Sequence, residues 1–373
     1  MNRVKFIDKM AQGRLTRRQM MAGAAAFGVG FMTMRRQAGA VEPITCLEWS
    51  GYDAQDYLGS YVGKHGALPN FSIFASEEDA LQKVRAGFSA DAMHPCNYSV
   101  PRFKDAGLIR PIDTARLSNW NDLFPVFKTA QGVVDANGDV LMAPADWGNS
   151  SIAYRPDLVD DDFKANESWG IFTDDKYAGR VAMTDNEVAV QISGLLIGYS
   201  PEKIFTMSGA DLAATKDTVI KMVNNSRMLW QDQTEIQQSL ASGEIVAAYA
   251  WNDTAVNLAK QGIPVAYAKP KEAYFTWYCG ITLLNVGKGD VGAAHDFVDA
   301  WLSPETGKAL IEGSGYGHSN AKSFEVADKA AVAAMGITDP VEHMKSGVLF
   351  PPQDPAVLAE QIKLWEETKV LKQ

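Results

Sequence analysis

The sequence is poor in the residues from which metal and redox centres are built. Among its 373 residues are 3 cysteines and 5 histidines. Cys46, Cys96 and Cys279 stand far apart, with no CxxC pair and no Cys/His cluster, so no metal site is expected. Three thiols allow at most one disulfide, and their spacing does not choose the pair; buried free thiols suit the sequence equally well. His65, His94, His295, His318 and His343 are scattered and read as surface or core histidines. Also missing are G-x-S-x-G, H-E-x-x-H, a P-loop and a G-x-G-x-x-G after a strand. Neither an enzyme nor a cofactor is expected. The rival reading is an exported redox protein, which its colour would reveal.

Long apolar runs are missing too. The longest, Met20 to Met32, has about a dozen residues, where a bilayer needs roughly 20. Arg3, Lys5, Lys9, Arg14, Arg17 and Arg18 precede it, and Ala38-Gly39-Ala40 follow. This is the layout of a signal peptide over residues 1–40, with Val41 as the expected mature start. Thr16-Arg17-Arg18-Gln19-Met20-Met21 is similar to a twin-arginine export signal, and no cysteine stands at the cleavage point to take a lipid. The expected destination is the periplasm.

Basic residues then become scarce. The whole chain has 35 Lys+Arg and 45 Asp+Glu; residues 1–40 hold 8 and 1 of these, leaving 27 against 44, a net charge of −17. Such a chain is a poor binder of nucleic acid and is inclined towards cations.

What the mature chain does have is alternation of strand-like and helix-like segments, the mark of an α/β fold. Ile44 to Trp49, Asn70 to Ala75 and Ala90 to Pro95 read as strands, separated by helical patterns at Asp53 to Lys64 and Glu77 to Ala86. Strand character returns at Leu141 to Trp147, Ser151 to Tyr154, Gly179 to Met183, Ile245 to Trp251 and Ile281 to Asn285.

Seven stretches, in order, resemble the spermidine/putrescine-type branch of ABC-transporter solute-binding proteins. They are Leu47-Glu48-Trp49-Ser50-Gly51-Tyr52; Asp91 through Pro95-Cys96-Asn97-Tyr98; and Gly107 to Asp113. Next come Ala143-Pro144-Ala145-Asp146-Trp147-Gly148, and Ser168-Trp169 with Tyr177 to Arg180. Last are Ala250-Trp251-Asn252-Asp253, and Gly315-Tyr316 with Asn320. The resemblance implies a two-lobed periplasmic-binding-protein fold of type II, with crossing strands near residues 143–147 and 249–254. One lobe would take 41–145 plus about 255–310, the other 148–250 plus about 311–373. It also implies a small organic cation as ligand, an inner-membrane ABC permease as partner, and a monomer that closes on its ligand.

By family position Trp49, Tyr52, Cys96, Asn97, Tyr98, Trp147, Asn186, Trp230, Trp251, Asp253, Trp277 and Tyr278 would line or close the interlobe cleft. Trp120, Trp169, Trp301 and Trp365 read as core. The family's acids are expected at Asn186, Ala189 and Cys279, and its ligand serine at Cys96, which leaves Asp253. Aromatics without acids suit a methylated onium group, which has no N–H to satisfy and binds ring faces. A betaine, choline or dimethylsulfoniopropionate type of ligand is therefore the first expectation, and a di- or polyamine the alternative.

Overall fold

The computed structural model describes residues 43–372 apart from 75 and 336–338. The expected signal segment lies outside the described residues. None of the described helices is long and apolar enough to cross a membrane.

Three short parallel strands open the fold: β1 (Thr45–Trp49), β2 (Asn70–Phe74) and β3 (Ala92–Met93), ordered β2-β1-β3. Further along lie β4 (Ile109–Arg110), β5 (Ala143–Tyr154), β6 (Val181–Thr184), β7 (Ser226–Trp230) and β8 (Ala247–Trp251). The last four strands are β9 (Ala266–Tyr267), β10 (Phe275–Leu284), β11 (Gly317–His318) and β12 (Val348–Leu349). The main path through the sheet is β2-β1-β3-β10-β5-β8-β6-β7. β5 and β10 pair antiparallel along most of their lengths and join the two halves. Both are buried at every position, as expected of strands covered on both faces.

Hydrophobic burial falls into separate bodies on either side of this pair. Residues from Ile152 to Phe275, with Leu364 and Trp365, form one core. Residues from Ile44 to Ala145, with Trp277 to Tyr316, form another, extended by a third cluster that reaches Met344. Mixed α/β layers around a shared crossing give the two-lobed type II architecture. The second crossing strand is β10. Residues 249–254, expected to cross, instead finish β8 and start the helix Asn252–Lys260; among the described residues β8 pairs with β5 and β6 alone.

Local sequence explains how the helices present the cleft residues. Ser76 caps the helix Glu77–Arg85, its Oγ accepting from Asp79 N at 3.2 Å. Acids fill the first turn and Lys83 and Arg85 the last, matching the helix dipole. That places Glu77 at the end of the helix nearest β1 and β3. Helix Pro304–Ser314 starts at a Ser303 cap and stops at Gly315, whose φ of 68° an L side chain rarely adopts. The turn delivers Tyr316 beside β5.

Candidate ligand cleft

Two strand ends meet at the cleft. Trp49 closes β1 and Trp251 closes β8; their rings lie 6.5 Å apart and nearly perpendicular. Both are half-buried. The Trp49 indole N–H donates to the His94 carbonyl at 2.8 Å, which fixes the ring. Behind Trp251 stands Trp230, 5.6 Å away and edge-on, its own N–H donating to Tyr249 O. Tyr316 and Trp277 meet edge-on at 5.2 Å, and half-buried Tyr98 packs on Phe350.

Carboxylates gather around these rings. Asp253 sits in the first turn of its helix, accepting from Tyr316 OH at 2.9 Å and from the Gln233 amide. Burial outweighs these hydrogen bonds and raises its pKa to about 6. Glu77 accepts from Cys96 N at 2.7 Å, yet burial lifts its carboxyl to about 7, and its Oε2 has no partner. Glu187 is also raised by burial. The Tyr98 hydroxyl is pushed well up, first by burial and then by the negative charges of Glu77 and Glu187. Glu77 thus keeps an acceptor oxygen that the protein itself does not use.

Three of the residues expected in the cleft from sequence come together there: Trp49, Trp251 and Asp253. Tyr98 joins them through Glu77 and Glu187. Cys96 is bonded to Cys279 in a disulfide between the segment after β3 and β10, with Cα atoms 3.8 Å apart. Neither sulfur can therefore act as the serine- or acid-equivalent expected of it. Cys46 is the buried free thiol.

Other expectations are corrected by strand parity and capping. Trp277 and Tyr278 are neighbours on β10 and must face opposite sides. Trp277 faces Tyr316, while Tyr278 enters the third cluster beside Phe127 and donates to Gln131 O. Likewise Asp146 faces His94 and Tyr52, so Trp147 turns away and stacks on Phe324. A cavity of about 290 Å³ lies against Trp147, lined also by Asn149, Tyr267, Lys269, Tyr274 and His343. Asn97 is fully buried and donates to Phe350 O, a structural tie. Asn186 is exposed, and its Oδ1 accepts from Val188 N to start the helix Val188–Leu196. Trp230 backs the cage without opening onto it. Tyr52 is buried, with its hydroxyl donating to Asp146 at 2.6 Å.

Sequence reasoning missed Glu77, Glu187, Tyr316 and the Glu48–His94–Asp146 group. Glu187 stands one residue beyond the expected Asn186, and Glu48 directly before Trp49. Among the described residues, no group of three or more His, Cys, Asp or Glu side chains could hold a metal ion.

With this geometry in hand, comparison with known proteins is decisive at the family level. Residues 71–336 match the model of the bacterial extracellular solute-binding protein family. The chain belongs to that family. It is 24% identical over 304 residues to the spermidine/putrescine-binding periplasmic protein of Escherichia coli, covering 81% of this chain and 83% of that one. It is 24% identical over 350 residues to the putrescine-binding periplasmic protein SpuD of Pseudomonas aeruginosa, covering 89% and 93%. A solved structure, a putative spermidine/putrescine ABC transporter from Listeria monocytogenes, superposes with a TM-score of 0.78 at 21% identity. It covers 89% of this chain and all of that one. The PBP MotA of A. tumefaciens B6, solved in complex with glucopine, gives a TM-score of 0.69 at 17% identity over 88% and 99%. One fold thus serves relatives with different named ligands. Membership in that family makes the chain an extracellular solute-binding protein.

Proposed function

We propose that the cleft captures a compact di- or polyamine, of the putrescine type, through its ammonium groups. What supports this reading is Asp253, two residues beyond Trp251 and held by Tyr316 and Gln233, together with Glu77 and Glu187, which both act on Tyr98. A methylated onium has no N–H to give such acceptors, so the carboxylates would be buried without return. A primary ammonium satisfies them and keeps the ring-face attraction. The curated relatives whose names specify polyamines support the same choice. The aromatic cage without acids, the first expectation from sequence, gives way here because Glu77 and Glu187 act on Tyr98 and the named relatives bind polyamines. A capture role also accounts for the chain without any catalytic chemistry, since the relatives are solute-binding proteins.

The reading carries a pH signature. In the empty protein Asp253 sits near 6 and Glu77 near 7, both above their ordinary range. A bound dication pulls both towards the anion, so binding releases protons. Putrescine affinity is expected to rise from pH 5 to about 8 and then level off. Carboxyls raised on folding add stability that is full below about pH 4 and is lost as pH rises through 6 and 7. The ligand-induced rise in Tm should accordingly be larger at pH 8 than at pH 5. An affinity that does not change over that range contradicts the proposal.

Lobes bounded by the crossing strands β5 and β10, closing on ligand as a monomer and docking on an inner-membrane permease, complete the proposal. Export by the twin-arginine route belongs to it as well. Replacing Arg17 and Arg18 by lysine should hold precursor in the cytoplasm, whereas normal appearance in the periplasm would exclude that route.

A further inference from the structure

We infer that His94 is a positioning residue of the cleft: gripped between Glu48 and Asp146, it sets the wall made by Trp49, with buried Tyr52 behind it, and ties both to the crossing strand β5. The inference deepens the amine-capture reading and rests on it.

All three members are buried, Glu48 and His94 completely. His94 Nδ1 lies 2.7 Å from Glu48 Oε1 and Nε2 lies 2.8 Å from Asp146 Oδ1. A neutral imidazole has one N–H and can donate to one carboxylate. Only the imidazolium donates to both. Burial opposes that charge, but the carboxylates of Glu48 and Asp146 outweigh it and raise the imidazole to about 10. Asp146 is held low despite its burial, by His94 first and by the Tyr52 hydroxyl. Burial raises Glu48 while His94 lowers it, and Cys46, Tyr57, Glu77, Tyr316 and His318 are the other titratable groups that act on this set; burial keeps His318 neutral, near 4.

Trp49 and Tyr52 both hang on the group. The Trp49 indole donates to the His94 carbonyl, and Trp49 N lies 3.2 Å from Glu48 Oε1. Tyr52 stacks on the imidazole with centroids 5.3 Å apart and planes 20° apart, while its hydroxyl donates to Asp146. Trp301 closes the far edge at 4.6 Å. Asp146 belongs to β5, so the end of β1, the end of β3 and the crossing strand share one charge centre.

Stability alone does not explain such a group. Fully desolvated ion pairs gain little over apolar side chains of similar volume, and Glu48 Oε2 is left without a partner. What the arrangement supplies is fixed geometry: one imidazole orientation, one Tyr52 orientation and one place for the Trp49 ring. Tyr52, tied to Asp146, is also withheld from the ligand, which leaves Asp253 and Tyr316 to serve that part of the cleft.

The test combines three readouts on the full mature chain. Ring-nitrogen NMR of the wild type should show His94 carrying both N–H protons from pH 5 to 8.5. Putrescine affinity should fall at least about tenfold in His94→Gln and remain low in His94→Gln/Asp146→Asn, which removes the imidazolium together with one of its two carboxylates and leaves less uncompensated buried charge than His94→Gln alone. With 5-fluorotryptophan, the resonance assigned to Trp49 through Trp49→Phe should move in both variants. A double variant with wild-type affinity and an unmoved Trp49 resonance overturns the inference, as does an imidazole that titrates near 6.5. If the wild type binds no amine, the capture reading fails separately, and the two NMR readouts still decide the role of His94.

Discussion

Asp253→Asn should weaken putrescine binding by roughly 30- to 150-fold, about 2–3 kcal/mol, without destabilising the empty protein. The loss follows from removing the charge of an acceptor that an ammonium would otherwise meet in a poorly solvated place. Asparagine keeps an acceptor for Tyr316 OH and for the Gln233 amide, so the local hydrogen bonds survive. It also removes a carboxylate whose ionisation burial opposes. The empty variant should therefore melt at or above the wild-type temperature at pH 8. Affinity by calorimetry and Tm by scanning calorimetry check the two halves independently. A variant that melts lower yet binds putrescine as before would make Asp253 a structural residue.

The second large effect concerns the covalent tie beneath the cleft. Cys279→Ser should cost about 2–4 kcal/mol of stability, and a fall in Tm on the order of 5–10 °C, because the bond to Cys96 closes a loop of 183 residues. It joins the segment after β3 to β10, where Cys96 and Cys279 form an isolated antiparallel bridge. Glu77 accepts from Cys96 N, so loosening that segment should also lower putrescine affinity. Cys46→Ser, which removes the free thiol, is the control. Equal Tm for wild type and Cys279→Ser under oxidising conditions would show that the pair contributes nothing.

Some of the site was legible in the chain itself and some was not. Trp49 and Trp251 could be singled out because they sit at strand ends, where a strand delivers its last side chains to the crevice, and Asp253 because it follows two residues later in the first turn of a helix. The alternation of strands and helices likewise announces the α/β class. Neighbours on a crossing strand were harder: for Trp277 and Tyr278, or Asp146 and Trp147, only the register with adjacent strands decides which side faces the cleft. Glu187 escaped because a one-residue shift near Asn186 exchanges a helix-capping amide for a cleft acid. His94 read as an ordinary histidine because its partners lie 46 and 52 positions away, on other strands. Pairing Cys96 with Cys279 needed the same long-range contact, which spacing does not contain.

The central claim is that the cleft satisfies ammonium N–H groups with its own carboxylates. Calorimetric titration tests it most directly: putrescine, spermidine, choline and glycine betaine are each titrated at pH 7 in buffers of different ionisation enthalpy. Saturable binding of an amine, with an apparent enthalpy that depends on buffer because Asp253 and Glu77 release protons, is the expected result. Tight binding of choline or betaine, with no buffer dependence and no heat from either amine, would contradict it.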